Sequence, residues 1–194
     1  MKEQQLGEAA PQRGNKITRW LGRATLALLG WQIVGQVPNL PKFVAIGAPH
    51  TSNWDFPLGM LLFIALGLRV SWMGKDSFVN GPGKRIWHWM GGIPINRRAA
   101  HGVVDQMIDA FKNRDKFVLG ITPEGTRSKV EKWKTGFYHI AQGASVPIFP
   151  IEINFKIKQF VLHPAFMPSG ELAVDLPILQ ALYAQSQGKR PELQ

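Results

Sequence analysis

The chain of 194 residues is long enough for one domain with a buried core and too short for two full domains. Apolar residues make up 45% of it, which is typical of a folded protein and excludes an intrinsically disordered one. There is no cysteine, which excludes a disulfide framework and a thiolate metal site.

Positive charge is concentrated in the middle of the chain. The sequence has 23 Lys and Arg against 13 Asp and Glu, a formal net charge of +10. Residues 69–134 hold 13 of the basic and 6 of the acidic side chains, and therefore +7 of that excess. Such an excess suits nucleic acid, an anionic membrane surface or an anionic substrate, or is simply a solvated basic surface.

The first 37 residues differ in character from the rest. Residues 1–16 are polar and contain Gly and Pro, which predicts a flexible tail. Residues 17–37 are largely apolar, and their charge-free part, 24–37, is 14 residues long, short of the ~20 needed to cross a bilayer. Arginines lie near the start of this segment and a tryptophan near each end: Arg19, Arg23, Trp20 and Trp31. We predict a helix at 17–37 that lies in one leaflet of a membrane, with packing on the domain as the alternative.

Residues 38–194 alternate between strand-like and helix-like segments. Short apolar runs predict strands at 43–48, 69–74, 93–95, 116–122 and 146–153. Longer or amphipathic runs predict helices at 54–67, 83–92, 99–115 and 135–144. A terminal pair of strands is predicted at 159–164 and 171–177. This order predicts a single α/β domain with a mostly parallel central sheet and helices on both faces, preceded by the membrane-associated helix.

Chemically capable side chains follow several of the predicted strands. In α/β sheets, ligands bind beyond the C-terminal ends of the parallel strands. His50 and Asp55 come after the first of these strands, Arg97 follows the strand at 93–95, and residues 124–127 follow another. A histidine, carboxylates and basic groups are therefore expected along one edge of the sheet.

His50 and Asp55 raise a geometric question. Five residues along one helix correspond to a rotation of about 140°, so the two side chains would diverge. They can meet if His50 lies in the turn before the helix and Asp55 in its first turn, with Ser52 or Asn53 as the N-cap. The pair would then be a general base and the carboxylate that orients it. The alternative is a turn followed by a capped helix, whose N-terminus Asp55 stabilises.

The segment TPEGTRS at 122–128 suits an anion. An arginine beside backbone amides in a Gly-containing turn can bind one, and Arg127 occupies such a position. Arg97 likewise lies in a loop that follows a predicted strand. Two arginine-bearing loops on one edge of the sheet predict a phosphate that is bound bidentately. A local ion pair between Glu124 and Arg127 is the alternative.

Four short segments occur in a fixed order between residues 42 and 153. They are His-x4-Asp (His50–Asp55), Gly-Gly-Ile-Pro-Ile-Asn-Arg (91–97), Pro-Glu-Gly-Thr-Arg (123–127) and Val-Pro-Ile-Phe-Pro (146–150). In order and relative spacing they resemble the blocks of the glycerolipid acyltransferase family, PlsC-like proteins that include the 1-acylglycerol-3-phosphate acyltransferases. The segment WKTGFYHIA (133–141) is similar to the lysine-containing stretch that follows the third block in that family.

The resemblance implies transfer of a fatty acyl group from acyl-CoA or acyl-carrier-protein to the hydroxyl of a lyso-glycerolipid such as 1-acylglycerol-3-phosphate. It implies no covalent acyl-enzyme and no cofactor. No metal is expected either, because the acidic residues are scattered along the sequence rather than clustered. His50 would be the general base, and Asp55 would fix its tautomer. The residues implied to hold the acceptor phosphate are Arg97, Glu124, Gly125, Thr126, Arg127 and Lys134. The family usually has an aromatic residue where Pro94 or Ile95 stands, so an ornithine-type or other lyso-lipid acceptor stays open.

The implied partners are the lyso-lipid, the acyl thioester and an anionic membrane surface, with acyl carrier protein as an alternative to CoA. No nucleic acid is expected, because the sequence has no known recognition motif and the apolar N-terminal segment would have no role. The implied location is the cytoplasmic face of the inner or plasma membrane. The alternative function is that of a non-catalytic basic protein that binds lipids or other anions at the same edge.

Overall fold

The computed structural model describes residues 6–95 and 102–194. Their strands are β1 (Gln32–Gly35), β2 (Lys42–Ala48), β3 (Ser71–Lys75), β4 (Gly92–Ile95), β5 (Phe117–Ile121), β6 (Ile148–Asn154) and β7 (Gln159–Leu162). Their helices are α1 (Lys16–Leu28), α2 (Asp55–Leu66), α3 (Asp76–Val79), α4 (Lys84–Trp89), α5 (Val103–Lys112), α6 (Gly136–Gly143) and α7 (Leu172–Ala181). A 3-10 turn follows at Pro191–Leu193.

The strands form one sheet in the order β1-β7-β6-β2-β5-β3-β4. Adjacent strands are parallel throughout, except that β6 and β7 are antiparallel. Parallel strands covered on both faces read as continuous apolar runs, and every residue of β6 is indeed buried. The predicted α/β fold with a mostly parallel sheet is confirmed.

Helices cover both faces of the sheet, as predicted. Alternate residues of β2 point to opposite sides, so Phe43 joins one core and Val44 the other. The first core lies under α1 and α2 and contains Leu26, Leu62, Phe149 and Phe160. The second lies under α5, α6 and α7 and contains Phe111, Phe137, Tyr138 and Leu179.

The helix predicted at 17–37 is wrong in extent, because α1 ends at Leu28. Gly30 has φ +78, the left-handed conformation that ends many helices, and the N–H of Trp31 returns to the carbonyl of Leu26 at 2.8 Å. Trp31 then packs in the core against Phe160, with ring centroids 4.6 Å apart. The chain continues as β1, which pairs with β7. Among the described residues, no helix combines the length and the apolar character that crossing a membrane requires.

Residues 6–15 pack against the domain, which differs from the flexible tail predicted there. Ala10 is fully buried, and the N–H of Arg13 donates to the carbonyl of Gly67 at 2.8 Å. The N–H of Arg69 donates in turn to the carbonyl of Pro11 at 2.9 Å. Residues 11–13 thus provide hydrogen-bond partners for the Gly67 carbonyl and the Arg69 N–H, just after the end of α2. Residues 1–5 lie outside the described part of the chain.

The second terminal strand, predicted at 171–177, is also wrong, because these residues begin α7. The carboxylate of Asp175 is buried and accepts hydrogen bonds from the Tyr138 hydroxyl at 2.7 Å and the Ser169 N–H at 2.7 Å. Asp175 and Leu179, four residues apart, share the inward face of the helix. The less exposed positions of this segment are 172, 175, 176 and 179, and this spacing of three and four residues is that of one face of a helix and not of a strand.

Candidate active site

The loops after β2 and β5 leave the same edge of the sheet. The two strands are adjacent and parallel, with Ile46 opposite Ile121. His50 follows the end of β2, and Glu124 follows the end of β5. The structure therefore brings these two sequence-predicted residues together, as the strand pattern predicts.

His50 and Asp55 are in direct contact. The Nδ1 atom of His50 lies 3.0 Å from Oδ2 of Asp55, and their side chains are 18% and 2% exposed. The same oxygen accepts the backbone N–H groups of Thr51 at 2.9 Å and Ser52 at 2.8 Å. A carboxylate oxygen can only accept, so in the neutral imidazole Nδ1 carries the proton and Nε2 is left as a proton acceptor. In this arrangement Nε2 is able to accept a proton while the Asp55 carboxylate holds the other side of the ring.

The turn is held differently from the expected cap. Neither Ser52 nor Asn53 caps α2, whose N-cap residue is Trp54, without a side-chain bond. Instead the Asp55 side chain folds back onto the turn, and the Ser52 hydroxyl accepts the N–H of Trp54 at 3.2 Å. The predicted cap at Ser52 or Asn53 is therefore wrong, while Asp55 binds both the backbone of the turn and the ring of His50. Asp55 also lies in the first turn of α2, at the positive end of the helix dipole, where a carboxylate stabilises the helix.

Glu124 supports the same turn from the neighbouring loop. Its Oε2 atom accepts the backbone N–H of His50 at 2.6 Å, and its side chain is buried. Burial raises the pKa of Glu124 to about 7, while the hydrogen bond and charge of His50 act to lower it and Asp55 to raise it. Within the described residues no ion pair joins Glu124 to Arg127. Glu124 thus contacts the His50 backbone, a role that sequence reasoning missed.

The rest of the predicted phosphate-binding set forms a basic loop. The side chain of Lys134 lies across Gly125, with its Nζ 3.1 Å from where a Cβ of that residue would stand. The Gly125 N–H donates to the Thr122 carbonyl at 3.0 Å, so it is used inside the turn. Thr126 accepts the N–H of Ser128 at 3.3 Å. The exposed cations of this loop are Arg127, Lys129, Lys132 and Lys134. Arg97 lies outside the described residues.

A cavity of about 190 Å³ opens beside this cluster. Its lining includes Pro49, Glu124, Trp133, Tyr183, Leu193 and Gln194. Pro49, Trp133 and Leu193 give this lining an apolar part, and Glu124 adds a carboxyl group next to the His50 turn. Sequence reasoning missed the contribution of Tyr183, Leu193 and Gln194, since nothing in the C-terminal residues has a recognisable motif or spacing.

The raised pKa of Glu124 predicts a pH-dependent stability. A carboxyl group with a pKa of about 7 in the folded protein and 4.5 unfolded stabilises the fold fully below pH 4.5. That contribution is lost as the pH rises through 7. We expect the free energy of unfolding in urea to fall over this range, and to fall less in Glu124→Gln, which keeps an acceptor for the His50 N–H. Glu131→Gln, at an exposed position, is the matched control. An identical pH dependence in Glu124→Gln would contradict this assignment.

The sequence was compared with models of known protein families. A model of the acyltransferase family matches residues 35–154, the segment that carries His50, Asp55 and the loop at 124–127. The chain therefore belongs to the acyltransferase family.

Individual relatives are more specific. The chain is 28% identical to a 1-acyl-sn-glycerol-3-phosphate acyltransferase of Haemophilus influenzae, over 73% of this chain and 61% of that protein. It is 35% identical to the Escherichia coli protein of the same name, over 55% of this chain and 45% of that protein. The chain thus matches less than two thirds of the length of these relatives.

A solved structure shares the fold. The crystal structure of the 1-acyl-sn-glycerophosphate (LPA) acyltransferase PlsC from Thermotoga maritima aligns with a TM-score of 0.58 and 18% identity. The alignment covers 86% of this chain and 77% of that one. At this identity the likeness concerns the α/β fold alone.

Proposed function

We propose that the protein transfers an acyl group from a thioester, acyl-CoA or acyl-carrier-protein, to the free hydroxyl of 1-acylglycerol-3-phosphate. The observation that carries this proposal is the 3.0 Å contact between His50 Nδ1 and Asp55 Oδ2, which leaves Nε2 as the base. Family membership and the names of the relatives support the same reaction.

In the proposed mechanism, Nε2 of His50 takes the proton from the acceptor hydroxyl as its oxygen attacks the thioester carbonyl. A C–O bond forms, the C–S bond breaks, and the imidazolium returns the proton to the departing thiolate. The Asp55 carboxylate stabilises the imidazolium in between. Because the oxygen of the acceptor is the nucleophile, the proposed reaction has no covalent acyl-enzyme intermediate. We also propose that it uses no cofactor and no metal.

The acceptor phosphate is proposed to bind at the basic loop after β5. The ammonium group of Lys134 beside Gly125, and the exposed guanidinium of Arg127 in the same loop, supply positive charge close to Glu124 and hence to His50. Thr126 adds a hydroxyl, and Arg97 is proposed to complete the set. Glu124 is proposed to contribute by fixing this loop against the His50 turn rather than by touching the anion, which a carboxylate would repel.

The function is tested by incubating the protein with acyl-CoA or acyl-carrier-protein and a panel of lyso-lipids, 1-acylglycerol-3-phosphate and lyso-ornithine lipid among them. Mass spectrometry is expected to show one new ester for each thiol released. The absence of a new ester with every acceptor, from a folded protein, would contradict acyl transfer. Lipid binding without turnover would instead support the non-catalytic lipid- or anion-binding function.

The outer face of α1 supports a membrane surface as partner. Ile17, Trp20, Leu21 and Leu28 are 67%, 66%, 50% and 88% exposed, and their spacing places them on one side of the helix. The opposite side carries the buried Leu26 and packs on α2. An exposed apolar stripe of this kind is typical of a helix that lies in a membrane interface. We propose that α1 attaches the protein to the cytoplasmic face of the membrane.

Removing this stripe should weaken membrane binding. The triple variant Ile17→Gln, Trp20→Gln, Leu28→Gln loses the apolar area available for burial in the lipid, so we expect binding to fall by about tenfold or more. The measurement is co-sedimentation with vesicles of phosphatidylglycerol and phosphatidylethanolamine. The matched control is Val174→Gln, Ile178→Gln, two exposed apolar positions on α7 across the sheet. Equal binding by both variants would contradict the role of α1.

A further inference from the structure

The segment Ser186–Gln194 lies against the turn that carries His50. The backbone N–H of Arg190 donates to Oγ1 of Thr51 at 3.1 Å, and Thr51 is only 2% exposed. Gly188 packs on the same side chain so closely that a Cβ there would stand 2.5 Å from Oγ1. Any larger residue at Gly188 would displace Thr51, so the close approach itself requires glycine.

A second contact falls on the other end of the turn. The ammonium of Lys189 lies 4.5 Å from the ring centroid of Trp54, the residue before Asp55. Thr51 also donates its own N–H to Asp55, so the turn is held by Asp55 on its inner side and by the C-terminal segment on its outer side.

The segment has a defined conformation of its own. The N–H of Gly188 donates to the Gln194 side chain at 3.0 Å, and the amide nitrogen of Gln194 donates to the Ser186 carbonyl at 2.8 Å. The Gln187 carbonyl accepts the N–H of Phe155, just beyond β6, at 2.8 Å. Leu193 and Gln194 are thereby fixed as walls of the cavity, together with Pro49 and Glu124.

We propose that Ser186–Gln194 is a positioning segment for acyl transfer that also limits the acyl chain. Through Thr51 it holds the His50 turn in place, and through Leu193 it closes the cavity beside that turn. The volume of about 190 Å³ lies below the ~300 Å³ at which typical ligand pockets begin, and Leu193 is part of the lining, so a change of this side chain alters an already small space. The segment lies outside residues 35–154, the range that the family model matches. The proposal rests on the proposed function.

The positioning role is tested at Thr51. Thr51→Val keeps the shape of the side chain and removes the acceptor for Arg190, while Thr51→Ser keeps an acceptor. Because small displacements of a base cost rate, we expect kcat to fall about tenfold in Thr51→Val with little change in KM, and to recover in Thr51→Ser. Amide hydrogen exchange in residues 50–55 should be faster in Thr51→Val than in the unaltered protein or in Thr51→Ser.

The wall role is tested at Leu193 with saturated acyl thioesters of increasing chain length. Leu193→Ala enlarges the cavity, so the preferred chain should become longer, whereas Leu193→Trp fills it and should shorten the preferred chain. Val174→Ala, on α7 and outside the cavity lining, is the control and should leave the profile unchanged.

The outcomes separate this inference from the proposed function. If the unaltered protein forms ester but kcat in Thr51→Val and the chain profile in both Leu193 variants stay unchanged, the inference is overturned and acyl transfer stands. If only kcat in Thr51→Val is unchanged, the positioning role is overturned. If only the chain-length profile in the Leu193 variants is unchanged, the wall role is overturned. If the unaltered protein forms no ester, the proposed function fails, and the wall role fails with it. Amide exchange then decides the positioning role: faster exchange in Thr51→Val supports it, and equal exchange overturns it.

Discussion

Replacing His50 with alanine is expected to lower the rate of acyl transfer by about 10²- to 10⁴-fold while the protein stays folded. The side chain supplies the base, but the backbone N–H of His50, which Glu124 accepts, remains in the variant. Asp55 also keeps its bonds to the N–H groups of Thr51 and Ser52. The measurement is the initial rate with acyl-CoA and 1-acylglycerol-3-phosphate, together with circular dichroism and the midpoint of thermal unfolding.

The control for this variant is His139→Ala, because His139 lies exposed on α6 away from the turn. It should retain the full rate. Added imidazole should restore part of the activity of His50→Ala, since the variant leaves space where the ring stood. A His50→Ala protein as active as the unaltered one would rule out His50 as the base, whatever its effect on lipid binding.

Asp55→Asn is expected to lower kcat by a similar ~10²- to 10⁴-fold and also to reduce stability. A neutral amide oxygen can still accept the N–H groups around it, but it no longer stabilises the imidazolium. The amide nitrogen would take the place of Oδ1, which is buried and has no hydrogen-bond partner in the described structure. An unpaired buried donor costs about 1–3 kcal/mol. Steady-state kinetics and urea unfolding measure the two effects separately.

Asp76→Asn is the matched control for this substitution. Asp76 is an exposed carboxylate at the start of α3, bonded to the Asn80 side chain at 2.8 Å, and its replacement should leave kcat unchanged. If Asp55→Asn kept more than a tenth of the original kcat, its carboxylate would be only a support for the turn.

The central part of the fold follows from local patterns in the sequence. The apolar runs at β2, β5 and β6 predict buried parallel strands, and the amphipathic pattern at α5 predicts its helix. The ends of the chain do not follow, because their conformation depends on distant partners. Trp31 lies beyond the end of α1 and packs against the ring of Phe160. Asp175 accepts a hydrogen bond from Tyr138, 37 residues away. Without those contacts, residues 171–177 are predicted as a strand rather than as the start of a helix.

In the candidate site, too, local contacts could be predicted from the sequence and contacts between distant segments could not. The contact between His50 and Asp55 depends on a turn of a few residues, so the local sequence could present it as one of two alternatives, and only the resemblance to the family favoured it. The contact between Glu124 and the His50 N–H requires β2 and β5 to be neighbours, which the sequence predicts only as a shared edge. The approach of Gly188 to Thr51 spans 137 residues of sequence without a motif, and only the folded chain reveals it.

The pairing of β1 with β7 sets the size of a fragment that could be produced and studied alone. The range shared with the family begins at residue 35, where β1 ends, and stops at residue 154, before β7 starts. A fragment cut to that range would lose both strands and leave the fully buried β6 as an open edge. Such an edge pairs readily with other chains and promotes aggregation. A soluble fragment should therefore begin before Trp31 and continue beyond Leu162.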